Sequence, residues 1–401
     1  MQHRRFTSRL RLHPIEVLEQ ASVAGSTPHS EGSRISDAAA ATVSEPRFRF
    51  EIWENDLGHR WDSLVSSFSD ASLEQMAAYV EPRWGHSRLC GLLVRCVDTG
   101  EPIALALVIL VTIPFIKLGM AYLKFGPLWR RTSAPLDPTI LAAALDAAKQ
   151  AFVVERGLVL RIMPPPDPDY EETWQQALTT AGFANSGPPP DPERYLVDLR
   201  LTESEQRASL DSKWRSNLNK AIASGLDFRE VEPVQSVPEF LALYRTMMAR
   251  KQFSDRHHIE LLPQFVAAAA ATPGLGVRMF LAYEKGRAVA GTIIAGSGER
   301  VLVPFSASDD RAQSLRAGYA LRWWIVNQLR GTTARWLDLG GTEGDAGLRS
   351  FKTGNIGKRG RIARIAGEYD YSQSALSRIV STAMTSSHRL VQGWPARFKR
   401  A

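Results

Sequence analysis

Periodic spacing of apolar residues begins at Phe48 and runs to about residue 370. Residues 1–45 are rich in Ser, Ala and Gly and lack such a period, so disorder is expected there. Alternation over Phe48–Trp53 predicts a strand leading into a helical stretch. Ser72–Arg83 reads as a helix that ends before Trp84-Gly85. Three apolar runs, Leu89–Val97, Ile103–Ile113 and Lys117–Phe125, are strands, and Asp98-Thr99-Gly100 turns the first into the second. A long helix over Pro138–Glu155 precedes a strand at Leu158–Ile162. Pro164–Pro166 then break the chain before a helix at Tyr170–Ala181.

The Pro-rich stretch Gly187–Pro192 and the strand Arg194–Leu199 look like a seam, after which a second cycle begins. Helices are predicted over Thr202–Ser224 and Val237–Gln252, and strands over Gly276–Glu284, Ala288–Gly296 and Arg300–Ser306. A helix at Arg316–Arg330 and a strand at Arg335–Leu339 follow. Both halves share one order: helix, antiparallel meander, helix, strand. The expected organisation is a first lobe over 46–200, a second over 201–370, and a tail from 371 to 401 with five basic residues and no acidic one. Loose or amphipathic, that tail offers a peripheral membrane contact.

At 401 residues the length suits two domains. With 44% hydrophobic and 23% charged residues the chain is expected to fold as a soluble protein, and its ten Trp and sixteen Phe give each lobe material for a core. Cys90 and Cys96, spaced C-x5-C, match no common metal motif and make no disulfide scaffold, so both are read as packing residues of a reducing compartment. The run Ile103–Ile116 stops at Pro114 and Lys117, short of the roughly 20 residues a membrane helix needs, and its Val and Ile content points to buried strand. The basic N-terminus lacks an apolar region behind it, which leaves a cytoplasmic location as the expectation. A net charge of +7 permits RNA, nucleotide-phosphate or anionic-lipid partners without requiring any, and no stable protein partner is evident.

Two segments carry a resemblance. One is SKWRSNLNKAIASG (Ser212–Gly225) followed by the strand LDFREV; the other is WLDLGGTEGDAGLRSFKTGNIGK (Trp336–Lys358). Together they resemble the FemAB family, with softer echoes in SLEQMAAYVEPRWG and KFGPLWR, over roughly residues 48–368. The resemblance implies an α/β fold of two tandem GNAT-like lobes, each a mixed, mostly antiparallel sheet flanked by helices. It also implies an acyltransferase that moves an aminoacyl group from charged tRNA to an amine of a cell-envelope precursor or a small molecule, with no bound cofactor. The chain looks short for the helical-hairpin arm that some members use to engage tRNA.

On the helix Ser212–Gly225, Trp214, Leu218, Ala221 and Ile222 form an apolar stripe. Lys213 and Lys220 flank it on one side, Arg215 and Asn219 on the other. This suits a substrate phosphate, with Arg215 as the bidentate partner, or simply a solvated face with snorkelling stems. Gly340-Gly341 free the backbone after a strand for close approach to a ligand, and further glycines keep the following segment compliant. Six basic residues and no acid lie from Arg349 to Arg364, out of phase with a helix. They read as a loop-borne patch for a polyanion, Lys358 among them, or as an exposed loop without a ligand.

Phe351 should anchor the next residue, Lys352. The resemblance places Lys352 near the reacting ester, where it would stabilise the oxyanion or the leaving oxygen. Asp338 and Glu343 are nearby carboxylates without a clear role as base. The resemblance also places the acceptor between the lobes, against Tyr79 and Arg215.

An acyl-CoA-dependent enzyme is the rival reading. Its phosphate cradle would be Leu315–Ala320, where Gly318-Tyr319-Ala320 fits the pattern and Leu315 replaces the first polar residue. A non-catalytic RNA-binding protein is the third reading. His257, His258 and Glu260 lack the geometry and the third ligand of a metal site, and Asp167-Pro168-Asp169 reads as a turn and cap.

Overall fold

The structure, a computed structural model, describes residues 8–9, 48–54, 57–112, 118–253, 255 and 258–373. The expectations for residues 10–45, for His257 and for the tail beyond residue 373 lie outside the described residues. Among the described residues, fifteen strands and eleven α-helices follow the pattern expected of two α/β lobes.

The first lobe has β1 (Ser8–Arg9), β2 (Phe48–Glu54), α1 (Gly58–Val65), α2 (Ala77–Trp84), β3 (Leu89–Cys96), β4 (Pro102–Thr112), β5 (Gly119–Lys124), α3 (Pro138–Ala148), β6 (Val159–Met163), α4 (Glu171–Thr180) and β7 (Ala184–Asn185). The second has β8 (Glu193–Asp198), α5 (Glu203–Ser209), α6 (Ser212–Ile222), β9 (Asp227–Val231), α7 (Pro233–Lys251), α8 (Leu262–Ala270), β10 (Gly276–Glu284), β11 (Arg287–Gly296), β12 (Arg300–Ser308), α9 (Asp310–Ser314), α10 (Ala317–Leu329), β13 (Trp336–Asp338), α11 (Ala346–Ile356) and β14 (Arg361–Arg364). The chain then crosses back with β15 (Tyr369–Tyr371). Sheet orders are β1-β2-β3-β4-β5-β6-β15-β7 and β14-β8-β13-β12-β11-β10-β9.

The apolar run in β4 is covered on both faces, which is why it reads as continuous rather than alternating. Leu105, Leu107 and Ile109 point into one core cluster, and Ala104, Ala106 and Val108 into another. No helix among the described residues is long and apolar enough to cross a membrane. The first of these clusters does not stop at the lobe boundary. It joins Met76, Ala77 and Val80 to Phe265, Val266 and Ala269 of α8. Each lobe also holds a core cluster of its own, as expected, and the shared one adds to these.

Three expectations are corrected. The strand read as the seam, β8, pairs inside the second sheet with β13 and β14. The true crossing is β15, whose Asp370 accepts two hydrogen bonds from buried Arg161 of β6, at 2.7 and 2.6 Å. The helix drawn over Thr202–Ser224 is two helices. Asp211 interrupts it and caps the second, accepting from Lys213 N at 2.9 Å and Trp214 N at 3.2 Å. The supposed loop after Gly344 contains α11, started by Asp345, which accepts from Leu348 N at 2.9 Å.

The lobes differ in one respect that positions the site. Parallel strands β5 and β6 are paired over five residues, Met120↔Val159 to Lys124↔Met163. Their counterparts β12 and β13 pair over three, Arg300↔Trp336 to Leu302↔Asp338. Beyond Leu302, β12 stays with β11 as far as Ser308 while the chain leaves β13 into Gly340-Gly341. The second sheet therefore splays into a wedge, and the first does not.

Candidate functional site

The wedge ends in a glycine pair with a structural reason for both members. Gly340 has φ +74°, the left-handed region, and its N–H donates to Asp338 Oδ1 at 2.8 Å. A Cβ on it would meet Arg194 Nη1 at 3.7 Å and Lys352 Nζ at 3.8 Å. A Cβ on Gly341 would fall inside the carboxylate of Asp191, which accepts from Glu343 N at 3.1 Å. Lys352 Nζ donates to Gly341 O. These contacts bring Lys352, Arg194 and Asp191 together around the turn.

Lys352 comes from the face of α11 turned toward the wedge. The adjacent Phe351 packs between Trp214 of α6 (5.9 Å between ring centroids) and Tyr319 of α10 (5.0 Å). This closes the helix onto its neighbours. Gly354 allows the approach, since a Cβ there would meet Trp214 Cδ1 at 2.8 Å. Gly354, Gly357 and Gly360 serve close packing, whereas Gly344, with φ +81°, has open space around it. Burial, then the charge of Arg322, bring the Lys352 ammonium down to about 8, against the pull of Asp338.

Across from Lys352 lies the first lobe's contribution. Gln75 is clamped between two strands: its Nε2 donates to Lys124 O at 2.7 Å and Leu107 O at 3.3 Å, and its Oε1 accepts from Leu107 N at 2.7 Å. That fixes the neighbouring Glu74, which pairs with Lys124 at 3.4 Å. Lys124, with Arg194 and Arg300 from the second lobe, holds the Glu74 carboxyl below its usual range against the cost of burial. The guanidinium groups of Arg194 and Arg300 lie over the Phe125 ring at 5.7 and 5.6 Å. Arg83 sits over the Tyr79 ring at 4.5 Å. Tyr79 itself packs edge-on against Phe265 of the second lobe at 5.2 Å. Burial raises its phenol, with Arg83 and Arg194 pulling the other way.

The residues singled out in the sequence fall into two places. Tyr79, Gly340, Gly341 and Lys352 border one cationic cleft between the lobes, linked through Arg194. Lys213, Arg215, Asn219 and Lys358 lie on an outer face instead. Lys213, Asn219 and Lys358 are exposed there. Asn219 Oδ1 accepts from Arg207 Nη2 at 2.5 Å, and Arg215 Nη1 reaches Arg207 O at 3.4 Å. Of the six basic residues from Arg349 to Arg364, Lys352 alone turns inward; the other five are exposed, Arg349 with Glu193 at 3.2 Å. The patch is thus a helix, a turn and a strand.

Arg83, Lys124, Arg194, Arg300 and Arg322 were not anticipated. Four come from separate elements with no local pattern to join them. Arg322 alone left a trace, as a charge in the otherwise apolar face of α10. Among the described residues no cluster could hold a metal ion.

One substitution tests the turn directly. Gly341→Ala forces Asp191 aside and shifts the carbonyl that holds Lys352. We expect kcat/KM to fall about 10²-fold, the scale of a 1 Å misplacement, with the fold losing about 1–3 kcal/mol. Steady-state kinetics beside a denaturant titration checks this, and an unchanged rate removes the glycine pair from the site.

Comparison with known proteins agrees with this architecture. Residues 204–353, from α5 to the residue after Lys352, match the family model of the acetyltransferase (GNAT) domain. The crystal structure of FemX superposes with a TM-score of 0.67 at 15% identity, over 83% of this chain and 99% of that one. A conserved protein of unknown function from Bacteroides thetaiotaomicron gives 0.50 at 12% identity, over 78% and 95%. A search of curated proteins finds no match. The chain has the two-lobed fold of FemX, and residues 204–353 of its second lobe match the GNAT acetyltransferase domain.

Proposed function

We propose that the chain transfers an aminoacyl group from aminoacyl-tRNA to an amine of a cell-envelope precursor or small molecule. The observation that carries this reading is the wedge between β12 and β13, where Gly340-Gly341 and Lys352 face the cationic cleft between the lobes. The acceptor amine enters from the cleft and attacks the acyl carbonyl. A C–N bond forms, the ester C–O bond breaks, and the proton lost by the amine ends on the leaving ribose oxygen. Lys352, as a cation, stabilises the oxygen that gains charge. An ester donor is already activated, so no dedicated carboxylate base is required. The exposed basic face of α6 and residues 358–364 suits the phosphates of the tRNA.

The start of α10, where a CoA pyrophosphate would sit, is partly occupied. Tyr319 N–H donates to Arg316 O at 3.0 Å, and Arg316 Nε to Asn217 Oδ1 at 2.8 Å. One observation favours CoA as a second reading: Gly318 is open, with nothing within 4 Å of a Cβ built there.

The test supplies charged tRNA or acetyl-CoA with a panel of amines under single-turnover conditions. The expected result is transfer from charged tRNA at least about 10²-fold faster than from acetyl-CoA, or about 2.7 kcal/mol in barrier. Transfer from acetyl-CoA alone overturns the tRNA reading.

A further inference from the structure

Helix α10 turns an apolar face to the second sheet, with Leu321, Ile325, Val326 and Leu329 in its core. Arg322 stands beside them and is only 7% exposed. Its Nη2 donates to Ser306 Oγ at 3.3 Å, and its Nε and Nη1 are buried without a partner among the described residues. Among the described residues no carboxylate compensates the charge, and burial brings the guanidinium down to about 10. A guanidinium carries five N–H donors. To bury one against a single hydroxyl is costly, because the desolvation is unopposed.

The surroundings show where an opposing charge would go. Ser306 lies on the splayed part of β12 and is exposed, and its hydroxyl is 3.3 Å from Thr292 Oγ1. Arg322 is the charge that acts most strongly on Lys352. Two cations thus share the interior of the wedge. Asp338 and Asp191 are the acids that act on Lys352, and both are already engaged, by Gly340 N and Glu343 N.

We propose that Arg322 and Lys352 form a receptor for a compact oxyanion, a carboxylate or a phosphate carried by a substrate, which enters the wedge past Ser306. Such a group supplies the guanidinium with charge-assisted hydrogen bonds and lies within reach of the lysine. A phosphate would belong to the acyl donor; a carboxylate would belong to the transferred acyl group or to the acceptor. The proposal rests on the unpaired arginine and not on the identity of the donor, so it survives if transfer from charged tRNA fails.

The test is denaturant stability of the full chain in sodium phosphate, sodium acetate or sodium chloride at constant ionic strength, with Arg322→Met and Arg322→Lys beside the wild type. Phosphate or acetate should stabilise the wild type saturably where chloride does not, and whichever acts identifies the source of the oxyanion. Arg322→Met should lose that response and, without the anion, be at least as stable as the wild type. Arg322→Lys should retain a weaker response. The proposal is overturned if neither oxyanion acts on the wild type, or if Arg322→Met keeps the full response. It is equally overturned if Arg322→Met is less stable without the anion, because the arginine is then a brace for Ser306.

Discussion

Replacing Lys352 by Gln is expected to lower kcat/KM by about 10²–10³-fold, the cost of removing one preorganised donor to a developing oxyanion, or about 2.7–4 kcal/mol. The side chain is placed for this role: its Nζ donates to Gly341 O and lies beside Gly340, at the mouth of the β12–β13 wedge. The fold should not suffer. The ammonium is depressed from 10.5 to about 8, so the folded chain holds its proton less tightly than the unfolded chain does. Its contribution to stability is therefore complete only above 10.5 and is lost as pH falls through about 8. A neutral side chain avoids that cost, and Lys352→Gln should unfold at a denaturant concentration no lower than wild type.

The pH profile separates a cationic role from a basic one. As a cation, Lys352 loses its proton as pH rises through about 8, so kcat/KM should fall on that alkaline side. Lys352→Arg keeps the charge at every working pH and should remove that limb while retaining part of the rate. A profile that instead rises through pH 8, and flattens in Lys352→Arg, would make the lysine a proton acceptor and refute the electrostatic role.

Much of the fold was legible because the longer elements carry their own period. The strands β3, β4 and β5 and the meander β10 to β12 were readable. What escaped was short or contradicted by composition. β14 and β15 have four and three residues, too few to show alternation, yet β15 is the strand that ties the second lobe's end to the first sheet. Helix α11 was obscured by Gly347 and Gly354, poor helix formers. Gly354 is tolerated because Trp214 occupies the space a side chain would need.

The site divides in the same way. Gly340, Gly341 and Lys352 stood out through the resemblance and the local glycine pattern. The cleft around them is assembled by tertiary contact. Arg83, Lys124, Arg194 and Arg300 lie on four different elements, and nothing in their neighbours along the chain indicates that the last three meet around Phe125 and Glu74 with Arg83 over the Tyr79 ring. Arg215 was expected at the acceptor groove on the strength of its motif, whereas its guanidinium reaches the backbone of Arg207 on the outer face.

The cleft exists only if the lobes stay docked, and Arg130 is the charge at that joint. It is 7% exposed, with Nη2 on Asp167 at 3.0 Å and Nη1 on Glu299 at 2.9 Å, and its guanidinium lies 4.1 Å from the centroid of Tyr170. Glu299 belongs to the second lobe's β11–β12 turn, whose N–H donates to Ser69 O at 2.8 Å. Arg130→Met would leave Asp167 without its cation, and Glu299 with Arg335 alone at 3.6 Å, and it would strand Asp70, which accepts from Trp129 N and Arg130 N at 3.0 and 3.2 Å. Removing one partner of a buried ionic network typically costs about 3–5 kcal/mol, and this loss is expected here.

Its pH dependence follows from Asp70. Burial raises that carboxyl from 3.8 to about 6 even with Arg130 beside it. A carboxyl raised on folding contributes stability below 3.8 that is lost as pH rises through 6. Without Arg130 the carboxyl rises further, so the deficit should be greater at pH 8 than at pH 5. Urea titrations of Arg130→Met at the two pH values measure both effects. A variant as stable as wild type at pH 8 would mean that the shared apolar core around Phe265, not the charge network, holds the lobes and therefore the cleft together.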